Sequence, residues 1–467
     1  MGGAKFGTNT ERLNQWTAPV LGLVCCLASI WLFFPGGMNN DSLSQYYQSL
    51  GILPMGDWHP VFMTRLWQLC NVLYEGPHLM LALFMSVYWF GVVKLAQIIA
   101  PVWWMQVLVI LAMGLFPPSY LVMSAVWKDA GMLAFFVLSV AFLYNTVRPK
   151  NQKPWAMSLF IGIAAGCIGC SFRHNGLFAF VPLMALVFFI PRRGFWWKTG
   201  VFTMSLFSVI VFSKITNSIG VEKKVPHMEN ILFAWDLSGV SVAENALKIP
   251  DYALLMKSEN GLDAIKAYYD RRSCNGVIFG DEIFNPKIWE DPALGDRFRS
   301  DAFMIITSNL TPYLEHRWKY TKGMLIGDRW WPNQAYCFGI GSFPGDEKLG
   351  LKELKMLNPS LLQKVEKALS PMVHFKAFTA APYLVILCFV LILSLNELRK
   401  NPRTSGLIIL SCALSASGLV YWLPYTVLGP ADDFRYTSWS VFCAISSLLT
   451  LASWYIHHKR DLFANHV

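Results

Sequence analysis

The chain has 467 residues, of which 54% are hydrophobic and 15% aromatic, with only 15% charged. That balance excludes an ordinary soluble globular protein, because repeated apolar runs of about 17 to 22 residues match the hydrocarbon thickness of a bilayer. The net charge of +10 would suit a nucleic-acid ligand, but its distribution along the chain argues against one.

Taken in order, the apolar runs predict ten spans, at 17–34, 78–99, 103–120, 130–146, 156–172, 175–190, 199–214, 379–396, 404–422 and 436–456. The first run lacks a small-x-small cleavage site, so it is expected to be retained as a span. The third is interrupted by Pro117 and Pro118, and the fifth and sixth are joined by a tight turn at Arg173-His174-Asn175. The fold class expected is an all-α polytopic membrane protein with one mixed, mainly helical soluble domain. Its parts are an N-terminal membrane module (1–214) with a first outer loop (35–77), the soluble domain (215–378) and a C-terminal membrane module (379–467). Within 215–378, Gly261–Arg272 and Leu351–Leu369 read as helical, with a break and restart at Asn358-Pro359-Ser360 and a turn at Asp328-Arg329-Trp330-Trp331-Pro332.

Sidedness follows from the basic residues. With the N-terminus inside, the short inner segments hold 14 Lys and Arg (among them Lys5, Arg148, Lys150, Lys153 and Arg403) against three acids. The short outer segments hold four, Arg65, Lys128, Arg173 and Arg435, against six acids. The 215–378 segment, with Lys214 at its edge, is nearly balanced at 21 basic and 20 acidic residues. The positive charge is therefore a topology signal, and no nucleic-acid partner is expected. Both termini fall inside, and 215–378 falls outside.

Most of the ten cysteines lie in apolar runs and read as packing residues; Cys167-Ile-Gly-Cys170 has redox spacing but sits inside a span. Cys274 and Cys337 are the two in the large polar segment, where an outer location would permit a disulfide.

The first outer loop, Met38 to Pro60, places Asp41, Asp57 and His59 beside the membrane. Carboxylates there are costly without water or a partner and mark a functional site. Asp41 reads either as the N-cap of a short amphipathic helix carrying Gln45, Tyr46 and Tyr47 or as a general base, and the two are compatible. Asp57 and His59 before Pro60 read as turn residues, as catalytic residues, or as an acceptor-positioning pair. Lys128, Arg173 and Arg435 come from three different hairpins yet share one depth, which suits a phosphate at the membrane surface. Asp129, His174, Asp433 and Tyr436 flank them. No phosphate-cradling Gly loop, metal-spaced His pair or Gly-x-Ser-x-Gly elbow is present in the sequence.

An early Asp after the first span, an amphipathic helix with Tyr, and then Gly56-Asp57-Trp58-His59-Pro60 resemble the first loop of the GT-C fold membrane glycosyltransferases, in outline the bacterial aminoarabinose transferases and protein mannosyltransferases. With the large outer domain, the architecture also resembles the O-antigen-modifying (serotype-converting) glucosyltransferases of bacteria and their phages. The resemblance implies an enzyme of the bacterial inner membrane, with 215–378 in the periplasm. It would transfer a sugar, best guessed as glucose, from a polyprenyl-phosphate carrier to a hydroxyl of a glycan such as O-antigen, with inversion. It implies Asp41, Asp57 and His59 in catalysis and Lys128, Arg173 and Arg435 on the donor phosphate. Gln45, Asp129, His174, Asp433 and Tyr436 would support the acceptor or the clamp. No cofactor is required; Asp41 and Asp57 would permit a divalent metal without demanding one. The other readings are an O-antigen ligase or polymerase, or a lipid-linked sugar flippase or transporter.

Overall fold

The computed structural model describes residues 9–147, 155–255, 258–280, 283–327, 357–401 and 406–464. The first membrane module runs through α1 (Asn9–Phe33), α2 (Asn40–Ser49), α3 (Val61–Leu73), α4 (His78–Ile99), α5 (Trp103–Gly114), α6 (Pro117–Tyr120), α7 (Lys128–Asn145), α8 (Trp155–Phe172), α9 (Gly176–Met184) and α10 (Phe195–Ser218). The 215–378 segment contributes α11 (Asn230–Glu244), α12 (Ser258–Tyr268), α13 (Asn275–Phe279), α14 (Lys287–Glu290), α15 (Pro292–Ser308), α16 (Leu310–Ile326), α17 (Pro359–Leu369) and α18 (Pro371–His374). The C-terminal module is α19 (Ala381–Lys400), α20 (Gly406–Trp422), α21 (Tyr425–Leu428) and α22 (Ser438–Ala464).

The chain is an all-α membrane protein, since a segment inside a bilayer must satisfy its backbone internally and helices do so. Among the described residues, eight helices are long and apolar enough to cross. The third expected span, 103–120, is bent by 58° between Trp103–Gly114 and Pro117–Ser124. Pro117 and Pro118 cannot donate to the ladder, and Tyr88 of α4 donates its hydroxyl to the Gly114 carbonyl at 3.0 Å, satisfying an acceptor at the break. The sixth, expected at 175–190, is only a short apolar helix, Gly176–Phe189. Pro182 lies inside it, and Ala185–Phe189 tightens into a 3₁₀ turn. Expected span limits elsewhere shift by a few residues; the seventh, for example, lengthens to Phe195–Ser218.

Small residues let the spans approach. A Cβ on Gly91 of α4 would come within 2.9 Å of the Leu138 backbone nitrogen in α7, so only Gly fits that crossing. Polar side chains tie other helices. Trp439 of α22 donates to Ser417 of α20 at 2.9 Å, and Ser417 donates to the Ala179 carbonyl of α9 at 2.6 Å.

The described part of residues 215–378 consists of helices joined by loops, with isolated bridges and no strand among the described residues. Trp235, Ile265, Ile288 and Phe298 of this segment are buried and continuous with the rest of the apolar core. The expected helices are there, shifted to Ser258–Tyr268 and Pro359–Leu369. The turn at 328–332, residues 351–356, Cys337, and the basic residues Lys5, Arg148, Lys150, Lys153 and Arg403 lie outside the described residues. The Cys274–Cys337 pairing is therefore outside them too; Cys274 itself is buried.

Candidate functional site

One short backbone pairing and two side-chain ties assemble the site. Gly37 bridges Ala125 in parallel, with Gly37 N–H donating to the Ser124 carbonyl at 2.9 Å and Val126 N–H to the Gly37 carbonyl at 2.8 Å. Ser42 adds a bond from its hydroxyl to the Val126 carbonyl at 2.7 Å. These contacts set the start of α2 beside the start of α7, and so Asp41 beside Lys128. The buried amide of Gln45 donates to the Pro60 carbonyl at 3.2 Å, which brings His59 to the same place. Gln45 is thus a tie between loop segments.

The N-cap of α2 is Asn39, whose Oδ1 accepts from Ser42 N–H at 3.0 Å. This corrects the capping reading of Asp41. Asp41 lies one residue inside the helix, and its carboxylate is left to face cations. Arg435 reaches Asp41 Oδ2 at 3.1 Å, and Lys128 Nζ lies 3.7 Å from the same oxygen. His59 Nε2 is 4.0 Å from Asp41 Oδ1. Burial alone would raise the Asp41 pKa, but Arg435, Lys128 and His59 more than offset it and hold the carboxyl well below the usual carboxylate range. The Asp41 side chain keeps 29% of its surface exposed, so a substrate can reach it.

Lys128 Nζ is also 3.1 Å from His59 Nδ1. An ammonium has only donors, so His59 accepts there and carries its proton on Nε2, toward Asp41. Burial, then Lys128, hold the His59 pKa down at about 3 against the pull of Asp41, so the ring is neutral near neutral pH.

Arg435 lies 2.8 Å, by Nε, from Asp433 Oδ2, an ion pair without a well-aligned hydrogen bond. Its guanidinium packs over Trp127 and Tyr436, 5.3 and 5.2 Å from the ring centroids. Burial raises the Asp433 pKa, with Arg435 opposing. Arg173 sits one layer behind. It is ion-paired to the fully buried Asp129 and donates from Nε to Asn175 at 3.2 Å. It also lies over the stacked rings of Tyr425 and Tyr436, whose centroids are 5.1 Å apart. Burial lowers its pKa and Asp129 more than restores it, so Arg173 is a permanent cation. The structure thus gathers Asp41, His59, Lys128, Asp433, Arg435 and Tyr436 around one point. Arg173 and Asp129 stand behind it.

Asp57 faces elsewhere. Its Oδ1 accepts from Val225 N–H at 2.8 Å, and its own N–H donates to the Lys223 carbonyl at 3.2 Å, so it fastens residues 223–225 to the first loop. Asp41 and Asp57 therefore point to different partners. Among the described residues no group of three or more His, Cys, Asp or Glu is arranged to hold a metal ion.

A cavity of about 330 Å³ opens beside His59. Its polar end is lined by Asp57, His59, His174, Lys214 and Asn217, its deeper part by Leu177, Val209 and Ile210. Burial, then Lys128 and Arg173, lower the His174 pKa. Lys214 is a lining residue that sequence reasoning did not single out. The signal was its place as the last cation of the seventh span, masked by counting it with the soluble segment. Cys167 and Cys170 are free and buried, as packing residues would be.

The sequence and the fold stand without parallel in the comparisons: no family model, no curated protein and no solved structure matches this chain.

Proposed function

We propose that this protein is an inverting glycosyltransferase that takes a sugar, best guessed as glucose, from a polyprenyl-phosphate carrier at the outer face of a bacterial inner membrane. The acceptor is a hydroxyl of a surface glycan. The observation that carries this reading is Asp41, an accessible carboxylate held by two cations from separate hairpins, next to a cavity that is polar at one end and apolar at the other.

In the reaction the acceptor oxygen attacks the sugar C1 from the face opposite the phosphate. The C1–O bond to phosphate breaks, the phosphate leaves with the electron pair, and the acceptor proton passes to Asp41. The leaving phosphate needs cations placed in advance, and Lys128 and Arg435 are the nearest to Asp41. Those cations make Asp41 a weak base. A bound phosphate competes for them and so raises the Asp41 pKa, which couples donor binding to base strength. Neutral His59, with its proton on Nε2, positions Asp41 and does not act as an acid. Gln45 and Asp129 hold the frame, while His174 lies toward the donor.

The test is transfer by the purified protein from polyprenyl-phosphate glucose to O-antigen glycan, together with mass spectrometry of the surface polysaccharide made with and without the protein. Loss of one sugar substituent in its absence supports the reading. An unchanged polysaccharide and no transfer in solution would overturn it. Transfer of a whole glycan from a diphosphate carrier would move the protein to the ligase or polymerase class.

A further inference from the structure

The cavity beside His59 is bounded on one side by α10. The C-terminal end of that helix is pinned on two sides. Asn217 accepts from Phe62 N–H at 2.9 Å and donates to the Ser171 carbonyl at 3.2 Å, locking α10 to the start of α3 and the end of α8. The cavity wall is therefore fixed. Along it, Lys214 lies one turn below Ser218, and Val209 and Ile210 lie another turn deeper.

Two properties of this wall point to a ligand. First, Lys214 is exposed, and no carboxylate of the described residues lies within ion-pair distance of it, whereas Lys128, Arg173 and Arg435 are each already paired with an acid. The Asp57 carboxylate lines the same cavity, but one of its oxygens is taken by Val225 N–H. Second, Ile210 both lines the cavity and is 45% exposed, on a helix whose neighbouring Phe207 and Ile215 are 60% and 52% exposed. In a membrane protein such a face lies against lipid, so the cavity opens sideways into the bilayer and not only to water.

We propose that this cavity is the entry seat of a phosphate-bearing isoprenoid lipid, with Lys214 holding the phosphate head and the Leu177–Val209–Ile210 wall holding the first units of the tail. The ligand is a lipid phosphate and not a free phosphate, because the cation sits above an apolar wall that opens toward lipid. This rests on the transferase reading for its purpose, and it adds a division of labour among the cations. Lys214 captures the headgroup, and Lys128 and Arg435, bound to Asp41 in the empty protein, take it over for chemistry. His59 is the contact between the two places, since it lines the cavity and lies 4.0 Å from Asp41.

The experiment is equilibrium binding of a sugar-free, short-chain polyprenyl phosphate to the purified full-length protein in detergent, followed by native mass spectrometry. Polyprenol and inorganic phosphate serve as separate competitors, and thermal melting checks that each variant is folded. Lys214→Gln should weaken binding about tenfold, the loss expected for one charge-assisted contact. Lys214→Arg should stay within about twofold. Ile210→Trp, at a half-exposed position, should also weaken binding by narrowing the cavity, and millimolar inorganic phosphate should fail to displace the lipid. Lys214→Gln binding as tightly as wild type would overturn the proposal. So would full displacement by inorganic phosphate with Ile210→Trp silent, which would make this a water-facing anion site. Because no sugar is present, the two ideas separate. Lys214-dependent lipid binding in a protein that transfers nothing would sink the transferase and keep the seat. Lys214-independent binding in an active transferase would do the reverse.

Discussion

Two places in this molecule are built from the same residue types and do opposite things. At the membrane face, Asp41 meets His59, Lys128 and Arg435. In residues 215–378, Asp236 of α11 meets His316 and Arg317 of α16, with Arg317 donating to Asp236 Oδ2 at 2.7 Å and His316 Nε2 3.2 Å from Oδ1. Tyr269 closes that second cluster with a hydroxyl 2.7 Å from His316 Nδ1. The Asp236 side chain is 4% exposed, against 29% for Asp41. An Asp–His–Arg set is thus no signature of chemistry by itself. The enclosed set is shut in by protein and acts as a pin between α11 and α16, while the half-open set keeps an accessible carboxylate with a cavity alongside.

The pin has a specific target. Arg317 also donates to the Gly429 carbonyl at 3.1 Å, and Cys274 N–H donates to the Pro430 carbonyl at 2.8 Å. Tyr320 hydroxyl reaches the Ala431 carbonyl at 3.4 Å, and Arg272 is ion-paired with Asp432. Residues 429–432 lead directly to Asp433 and Arg435. Residues 215–378 therefore hold the loop that delivers Arg435 to Asp41.

The contrast can be broken by mutation. The largest effect is expected for Asp41→Asn, which should cut sugar transfer about a thousandfold or more, within the range for removing a general base, while donor binding persists in the sugar-free assay. Normal turnover would remove Asp41 as base. Next is Arg317→Ala, which leaves Asp236 buried without its cation and should destabilise the protein by about 3 to 5 kcal/mol. It is read as a drop in melting temperature, together with faster hydrogen exchange at 429–433. An unchanged melt would mean the enclosed cluster is no pin.

Arg435→Ala should lower transfer about a hundredfold, within the range for loss of one preorganised charge-stabilising group. The pH dependence tells the same story with a definite sign. Asp41 is depressed by its cations, so wild-type kcat/KM should show no acidic limb between pH 5 and 7. Lys128→Met removes one depressing charge, so the Asp41 pKa rises and the acidic limb should move up toward the ordinary carboxylate range. A limb that stays put would uncouple Lys128 from Asp41. His59→Gln, which keeps a donor near Asp41, should cost about tenfold, and less than Asp41→Asn. The smallest effect is expected for Asp57→Asn, because its carboxylate, though at the cavity, holds Val225 N–H and stands apart from Asp41 and its cations; a loss in melting stability of about 1 kcal/mol or less fits one backbone tie. A transfer defect as deep as that of Asp41→Asn would return Asp57 to the chemistry.

Much of this was legible in the sequence because the membrane imposes a one-dimensional code. Apolar length placed eight of the ten expected spans, Pro117 and Pro118 marked the broken one, and the count of Lys and Arg grouped Asp41, Lys128 and Arg435 before any contact was known. What stayed hidden depends on register between distant segments. Asn39 and Asp41 are both good caps, and only the helix start decides between them. Helix α3 mixes Arg65, Gln68 and Asn71 among apolar residues and sits in a loop too short to read as a span. The pairing of Arg173 with Asp129, 44 residues apart, and of Asp57 with Val225, 168 apart, requires knowing how hairpins dock. Neither composition nor spacing records that.

The grip of the soluble segment on residues 429–432 bears on how this chain could be cut or recombined. A swap of 215–378 for a foreign domain of equal size would leave every span intact and every charged residue of the membrane face in the gene. Yet Arg435 would hang on an untethered connection, free to collapse onto Asp433 alone. The two membrane modules behave less like a finished engine with a removable receptor than like the two halves of a mould. The soluble segment is the clasp that closes it.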